Sequence, residues 1–413
     1  MNLVQGVKKE FSFIKGNYAV LIISWILVDF AMEIPTAYYA LYVLKLGATE
    51  TILGTIGLFQ FLALASMQFP GGYLADKFGR KWIISSMTFG VALSYILYAV
   101  APSWYLILIG AVIMALCNST YQPALQAMIA DSLPAEQRGM GFGIVTLIAS
   151  ASTTPGPAVA ALLYMSFGLV DGMRVGYGIV VGLFLAAAFL RLFRLKETVV
   201  SKEKPHLSDL LKSYPSAMKE SFGVWKKTPR SLLYLFLSLL IAQLGFATVT
   251  LYLSVYAVDQ LLIDKVVWGL MLAVVPVTTI ILAIPIGKSV DKINRKTPLL
   301  LSLLLFGAAI LLFVHGEFAW LFVSLVIIGA AQVMMNTAFG ALQTDLTPRD
   351  DRGKVNGFSN FAGCIVMAVG NFVGGILYEQ FSPQLPFMFA AASIIPAFIL
   401  ALLLVHEPEK REE

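Results

Sequence analysis

The chain has 413 residues, 58% hydrophobic and only 13% charged, with a mean hydropathy of +0.81. A water-soluble domain carries roughly twice that share of charge, so most of this surface is matched to hydrocarbon rather than water. The net charge of +5 is not clustered on a soluble face that would bind nucleic acid, and the two cysteines and three histidines supply neither a disulfide framework nor a metal cluster.

The opening residues, MNLVQGVKKEFSFIKGN, lack the apolar core and small-residue cleavage site of a signal peptide, so the first apolar run is expected to be a true span. Runs long enough to cross roughly 30 Å of hydrocarbon as helices fall at about 17–44, 51–75, 82–101, 104–130, 139–166 and 173–195. After a polar stretch they resume at about 231–257, 266–286, 298–315, 318–344, 355–379 and 385–405. Backbone groups in hydrocarbon must be satisfied within the structure, and runs this long exclude barrel strands. The predicted fold is an all-α integral membrane protein of twelve transmembrane helices. Its parts are an N-terminal six-helix unit over 1–195, a cytoplasmic amphipathic linker over 196–230 and a C-terminal six-helix unit over 231–413. The linker is charged, is broken by Pro205, Pro215 and Pro229, and has apolar residues at helical spacing, as in segments that lie on a membrane surface. Placing both termini in the cytoplasm leaves only Lys45, Arg174 and Lys265 outside, of 29 Lys and Arg. Basic residues concentrate on the inner side, so this orientation is expected.

Two stretches recur. Gly72-Tyr-Leu-Ala-Asp76-Lys-Phe-Gly79-Arg80-Lys81, a short charged loop between apolar runs, returns as Gly287-Lys-Ser-Val-Asp291-Lys-Ile-Asn294-Arg295-Lys296, 215 residues later. Asp131-Ser-Leu-Pro134-Ala-Glu-Gln-Arg138-Gly139 returns as Asp345-Leu-Thr-Pro348-Arg-Asp-Asp-Arg352-Gly353, 214 residues later. The same offset pairs Asn118 with Gln332 and Gln122 with Asn336. Each repeat holds an even number of spans, so the two are parallel and relate two bundles about an axis along the membrane normal.

With these motifs the chain resembles the major facilitator superfamily of secondary transporters over its whole length. The loop at Gly72, Leu74, Asp76, Gly79, Arg80 and Lys81 matches that family's G-x-L-a-D-r-x-G-R-[RK] signature, and Pro155-Gly156-Pro157 in the fifth span is similar to the glycine-proline motif of its drug:proton antiporters. Ala160 and Ala161 stand where that motif has further glycines, and the fourth span lacks the Arg that such antiporters often carry. The resemblance implies two six-helix bundles working by alternating access, with spans 1, 4, 7 and 10 around a central cavity. It also implies that Asp76 meets the N-terminus of span 11, where the helix dipole favours an anion, and that Arg80 pairs with Asp131. Asp291, Arg295 and Asp345, with Arg138 and Arg352 closing the same motifs, are expected to do likewise in a cytoplasmic gate.

Of the 24 acidic residues, Asp29 and Glu33 alone fall near the middle of a span. Ionisable groups at that depth are costly and mark function, and a spacing of four puts both on one helix face. No Lys or Arg falls at a comparable depth in the predicted spans. Two such carboxylates suit a proton carrier, a cation binder or both, and Pro35 loosens the helix beside them. The cavity side chains expected are Tyr38, Asn118, Tyr121, Gln122, Gln243, Gln332 and Asn336, with Tyr38 offering aromatic surface to a cation. The expected function is proton-coupled export of lipophilic or cationic small molecules by a monomer in the plasma membrane, with protons and the bilayer as partners and no cofactor. The alternative is a symporter or uniporter for a neutral or zwitterionic nutrient. No nucleophile–base set or nucleotide loop points to an enzyme.

Overall fold

The computed structural model describes residues 14–68, 70–134, 138–199, 223–225, 228–292, 294–348 and 351–407. Every regular element in it is helical, as the hydrocarbon requires. Eleven helical stretches are long and apolar enough to cross a membrane, but one of them, Leu147–Arg194, runs to 48 residues. At ~1.5 Å per residue it is roughly 70 Å long, more than twice the hydrocarbon thickness. Gly168, at φ +76°, breaks it with a backbone turn that a side chain would strain. The stretch is therefore two crossings and the total is twelve.

Span 1 is Gly16–Glu33 continued by Tyr39–Lys45; span 2 is Glu50–Met67 continued by Pro70–Phe78; span 3 is Arg80–Ala99 and span 4 Trp104–Asp131. Span 5 is Arg138–Thr153 continued by the first part of Gly156–Arg194, and span 6 is the part of that helix beyond Gly168. In the second half, span 7 is Arg230–Thr250 with a π-helical end at Tyr256–Gln260, and span 8 is Lys265–Met271 continued by Val274–Lys292. Span 9 is Lys296–His315, span 10 Phe318–Leu346, span 11 Arg352–Ile376 with a π-helical end at Leu377–Phe381, and span 12 Leu385–Leu404. Both chain ends emerge on one side, called here the terminal face. The loops that follow spans 1, 3, 5, 7, 9 and 11 lie on the far face.

The motif expected as a loop at Gly72–Lys81 is mostly helix. Pro70–Phe78 extends span 2, and the chain reverses at Gly79 alone, at φ +90°. The duplication reaches further than the sequence shows. Asn17, at the start of span 1, exchanges two 2.8 Å hydrogen bonds with the backbone of Lys196, just past span 6. Ser231, 214 residues later at the start of span 7, does the same with His406 past span 12, at 2.7 and 2.8 Å. The next residue in each case is a glutamate. Glu197 accepts from the Arg80 and Lys81 N–H groups at 3.0 and 3.1 Å, and Glu407 accepts from the Lys296 N–H at 2.7 Å. Each carboxylate thus occupies the positive end of a helix dipole, at span 3 and span 9. Every bundle is buckled shut by its own exit strand.

Most described hydrogen bonds between the halves lie on the far face. Tyr38 of span 1 donates through its hydroxyl to the Lys265 carbonyl at 2.7 Å, and Tyr252 of span 7 donates to the Glu50 carbonyl at 3.2 Å. Glu379 of span 11 accepts the Thr51 N–H at 2.8 Å and so caps span 2 of the other half. Glycines make the approach possible. A Cβ on Gly375 would sit 2.6 Å from the Glu50 carbonyl oxygen, and one on Gly54 2.4 Å from that of Asn371. Small residues at helix crossings let backbones meet closely in membranes. One large buried apolar cluster runs through this seam, joining Tyr38, Tyr42 and Leu53 to Tyr252, Tyr256 and Trp268. A second, separate cluster that includes Leu232, Leu299, Leu303, Leu342 and Ala401 belongs to the C-terminal half at its terminal-face end.

Candidate functional site

Asp29 and Glu33 both lie on the straight first segment of span 1, which ends at Glu33. The break is where Pro35 predicts it. Residues 34–38 form turns in which Thr36 N–H donates to the Glu33 carbonyl and Tyr38 N–H to the Pro35 carbonyl, both at 3.2 Å, before helix resumes at Tyr39. From Gly16 to Asp29 is about 20 Å of helix rise, well inside the hydrocarbon. Both carboxylates are half-buried. The Trp25 indole N–H, one turn earlier, donates to Asp29.

The Pro155-Gly156-Pro157 motif lies directly against this site. Gly156 and Pro157 are buried, and a Cβ on Gly156 would sit 2.6 Å from the Glu33 Cβ and 2.8 Å from its Cγ. Only a glycine admits span 5 this close to the Glu33 stem. Motif and acid, 123 residues apart in sequence, are one piece of packing.

Sequence reading missed Arg191. It looks like one member of the basic cluster that ends span 6, with Arg194 and Lys196. Arg194 and Lys196 are exposed, but Arg191 points inward and is 1% exposed. Its Nε donates to Ser24 Oγ at 2.9 Å and its NH1 to Thr88 Oγ1 at 2.7 Å, while its Cζ lies 5.5 Å from the Tyr121 ring centroid. Its charge acts on Asp29. The expectation that no basic side chain reaches the depth of the acids is therefore corrected. A long side chain rooted near the membrane edge can carry its charge inward when polar groups wait there. The signal available was the three-residue offset between Arg191 and Arg194, which separates their directions on a helix by about 60°.

Two other side chains sit elsewhere than expected. Tyr121, 1% exposed, lies beneath the Arg191 guanidinium rather than on an open wall. Tyr38, also 1% exposed, is part of the far-face seam and packs on Tyr164 with ring centroids 5.5 Å apart. The remaining polar side chains line up by helix. On span 4, Asn118 and Gln122 are half-buried and Gln126 is exposed, at i, i+4 and i+8. On span 10, Gln332 and Asn336 are both exposed. Gln243 of span 7 is half-buried, its Oε1 3.2 Å from where a Gly363 Cβ would stand on span 11.

At the terminal face, Arg80 is ion-paired to Asp131, and Arg295 to Asp345. The second pair is the more secluded, with side chains 16% and 12% exposed against 15% and 41% for the first. Arg352 donates to the Thr344 and Thr347 carbonyls and so closes the end of span 10. The side chains of Asp76, Arg138 and Asp291, and residue Gly72 beyond its helical backbone, lie outside the described residues, as does the linker over 200–222. Cys117 and Cys364 are both free thiols.

Comparison with known proteins agrees with this architecture. The family model described as Major Facilitator Superfamily matches residues 21–264 and 235–413. A Na(+), Li(+), K(+)/H(+) antiporter of Planococcus maritimus is 26% identical over 316 residues, covering 71% of this chain and 74% of that one. Multidrug resistance protein MdtG of Escherichia coli O9:H4 (strain HS) is 27% identical over 311 residues, covering 71% of each chain. Among solved structures, the nucleoside transporter NupG superposes with a TM-score of 0.75 at 14% identity, over 94% of this chain and 99% of that one. At that identity the likeness concerns the fold alone. Twelve helices in two parallel repeats, a doubled terminal-face motif and a family match over nearly the whole length converge: the chain belongs to the major facilitator superfamily and is a multi-pass membrane transporter, not an enzyme.

Proposed function

We propose that the protein exports lipophilic or cationic small molecules in exchange for protons, by alternating access, as a monomer in the plasma membrane with its terminal face in the cytoplasm. The observation that carries this reading is the pair Asp29 and Glu33, two carboxylates on one face of span 1 at mid-membrane depth, with Gly156 of span 5 packed on the Glu33 stem. A proton gradient directed inward drives a cation outward only if both compete for the same groups. Carboxylates in a poorly solvated site meet that condition, because burial opposes their ionisation until a cation arrives. The named relatives, a multidrug resistance protein and an antiporter of alkali cations and protons, support exchange of this type. The amides at Asn118, Gln122, Gln243, Gln332 and Asn336 would line the substrate path, since side-chain amides are disfavoured against lipid.

Control is assigned to the two faces. The Tyr38–Lys265, Tyr252–Glu50 and Glu379–Thr51 contacts close the far face, and must part when the site opens outward. The terminal-face pairs Arg80–Asp131 and Arg295–Asp345, with Asp76, Asp291, Arg138 and Arg352, would hold the inner gate together in that outward state.

The test is proton release from purified protein in weak buffer. Adding tetraphenylphosphonium, a lipophilic cation, should release protons from the wild type, and adding sodium ions distinguishes an alkali-cation substrate. The variant Asp29→Asn/Glu33→Gln should release none and should lose gradient-driven transport in proteoliposomes. Absent release together with unchanged transport by that variant would falsify coupling at these residues and favour the symporter or uniporter alternative.

A further inference from the structure

Among the described residues, Arg191 is the charged side chain buried below a tenth of its surface. Orientation does not require it there, because Arg194 and Lys196 remain exposed at the same end of span 6. A guanidinium stays ionised under all ordinary conditions, and a buried charge needs an opposite charge as well as hydrogen bonds. Its hydrogen-bonding partners are neutral: Ser24 Oγ on span 1 and Thr88 Oγ1 on span 3 fix the fork, and the Tyr121 ring on span 4 lies against its face. The carboxylate it acts on is Asp29, and Asp29 in turn acts on Glu33, one turn further along. The other titratable group in this neighbourhood is the Cys117 thiol beside Tyr121. Span 3 contributes only the Thr88 hydroxyl.

Two carboxylates less one guanidinium leave a single negative charge in this pocket when both acids are ionised. One proton neutralises it, and so does one monovalent cation. We propose that Arg191 is a positioning residue for the coupling site: its fastened guanidinium is the standing counter-charge of Asp29, which sets the pH range of exchange and matches the site to monovalent cations. The inference rests on the proposed coupling at Asp29 and Glu33, and goes beyond it by assigning the third charge.

The test reads Asp29 without needing a substrate. Trp25 donates its indole N–H to Asp29, so its fluorescence reports the state of that carboxyl, and the difference between wild type and Trp25→Phe isolates its signal from the other tryptophans. A nearby positive charge favours the ionised carboxyl, so removing it means the proton is held to higher pH. In Arg191→Gln the Trp25 titration midpoint should rise by about one pH unit or more, a tenfold change in proton affinity. Arg191→Lys should restore most of the shift, and in an Asp29→Asn background Arg191→Gln should add none. Should Arg191→Gln fail to give a monodisperse protein, Ser24→Ala/Thr88→Val keeps the charge but unfastens it, and should move the midpoint the same way by less. A midpoint unmoved in whichever of these variants folds, while Asp29→Asn abolishes the titration, overturns the role of Arg191 and leaves coupling standing. Coupling itself fails on a different measurement, the proton release described above.

Discussion

At the scale of single residues, the site is built from close approaches that leave no slack. Gly156 faces the Glu33 Cβ at 2.6 Å from the position of its missing Cβ, whereas Gly340 on span 10 has nothing within 4 Å. The two glycines therefore predict opposite outcomes. Gly156→Val must push span 5 or Glu33 aside, at about 1–3 kcal/mol for overpacking. It should lower the thermal midpoint of the purified protein and abolish substrate-driven proton release. Gly340→Ala should leave both unchanged, or gain slightly from better helix propensity. Equal effects of the two substitutions on proton release would show that the contact between the motif and the acid has no role in exchange. Asp29 and Glu33 were legible in the sequence because an acid in a long apolar run needs no tertiary information to stand out. Arg191 was not, because its Cα lies among basic residues that set topology. Only the rotation of span 6 and the hydroxyls at Ser24 and Thr88 decide that its side chain turns inward.

At the scale of elements, most spans appear where their apolar runs predict, and their ends carry the information that matters. Span 1 breaks at Pro35, as its sequence requires, and span 2 continues helically through the charged motif to Gly79 instead of ending in a loop. The terms are local in both cases, a missing N–H donor and a backbone with positive φ. The meeting of spans 2 and 11 is different. It depends on glycines at Gly54, Gly57 and Gly375 aligning with Asn371, Glu50 and Thr51 across the far face, and no periodicity within one helix reveals the partner. This seam is the element that alternating access must open. Gly375→Leu places a branched side chain where even a Cβ is 2.6 Å from the Glu50 carbonyl oxygen, so it should prop the seam apart. Amide hydrogen exchange at residues 49–57 and 371–379 should then accelerate relative to wild type. Unchanged exchange there would mean that the far-face contacts do not hold the closed state.

For the whole molecule, orientation rests on the distribution of Lys and Arg, which leaves Lys45, Arg174 and Lys265 on the far face. It is checked directly by labelling a variant in which Cys117 and Cys364 are replaced. A cysteine at Glu317, exposed on the far face between spans 9 and 10, should react with a membrane-impermeant maleimide in intact cells. A cysteine at Lys196, exposed on the terminal face, should react only after permeabilisation. The reverse pattern would invert the assignment of both gates and the direction of export with them.

The sequence by itself determined the number of crossings, the parallel duplication, the sidedness and the two acids in span 1. Each follows from length, spacing or charge counted along one dimension, because hydrocarbon thickness and insertion act on the chain segment by segment. The tertiary structure alone decided which helix faces touch. It brought Gly156 to Glu33 and Arg191 to Ser24, Thr88 and Tyr121, placed Tyr38 in a seam, and paired the exit clasps at Glu197 and Glu407. Membrane helices are apolar on nearly every side, so the pattern that reveals the buried face of a soluble helix is faint. Their rotation and kinks are fixed by close packing between helices distant in sequence, which a linear reading of residues does not contain.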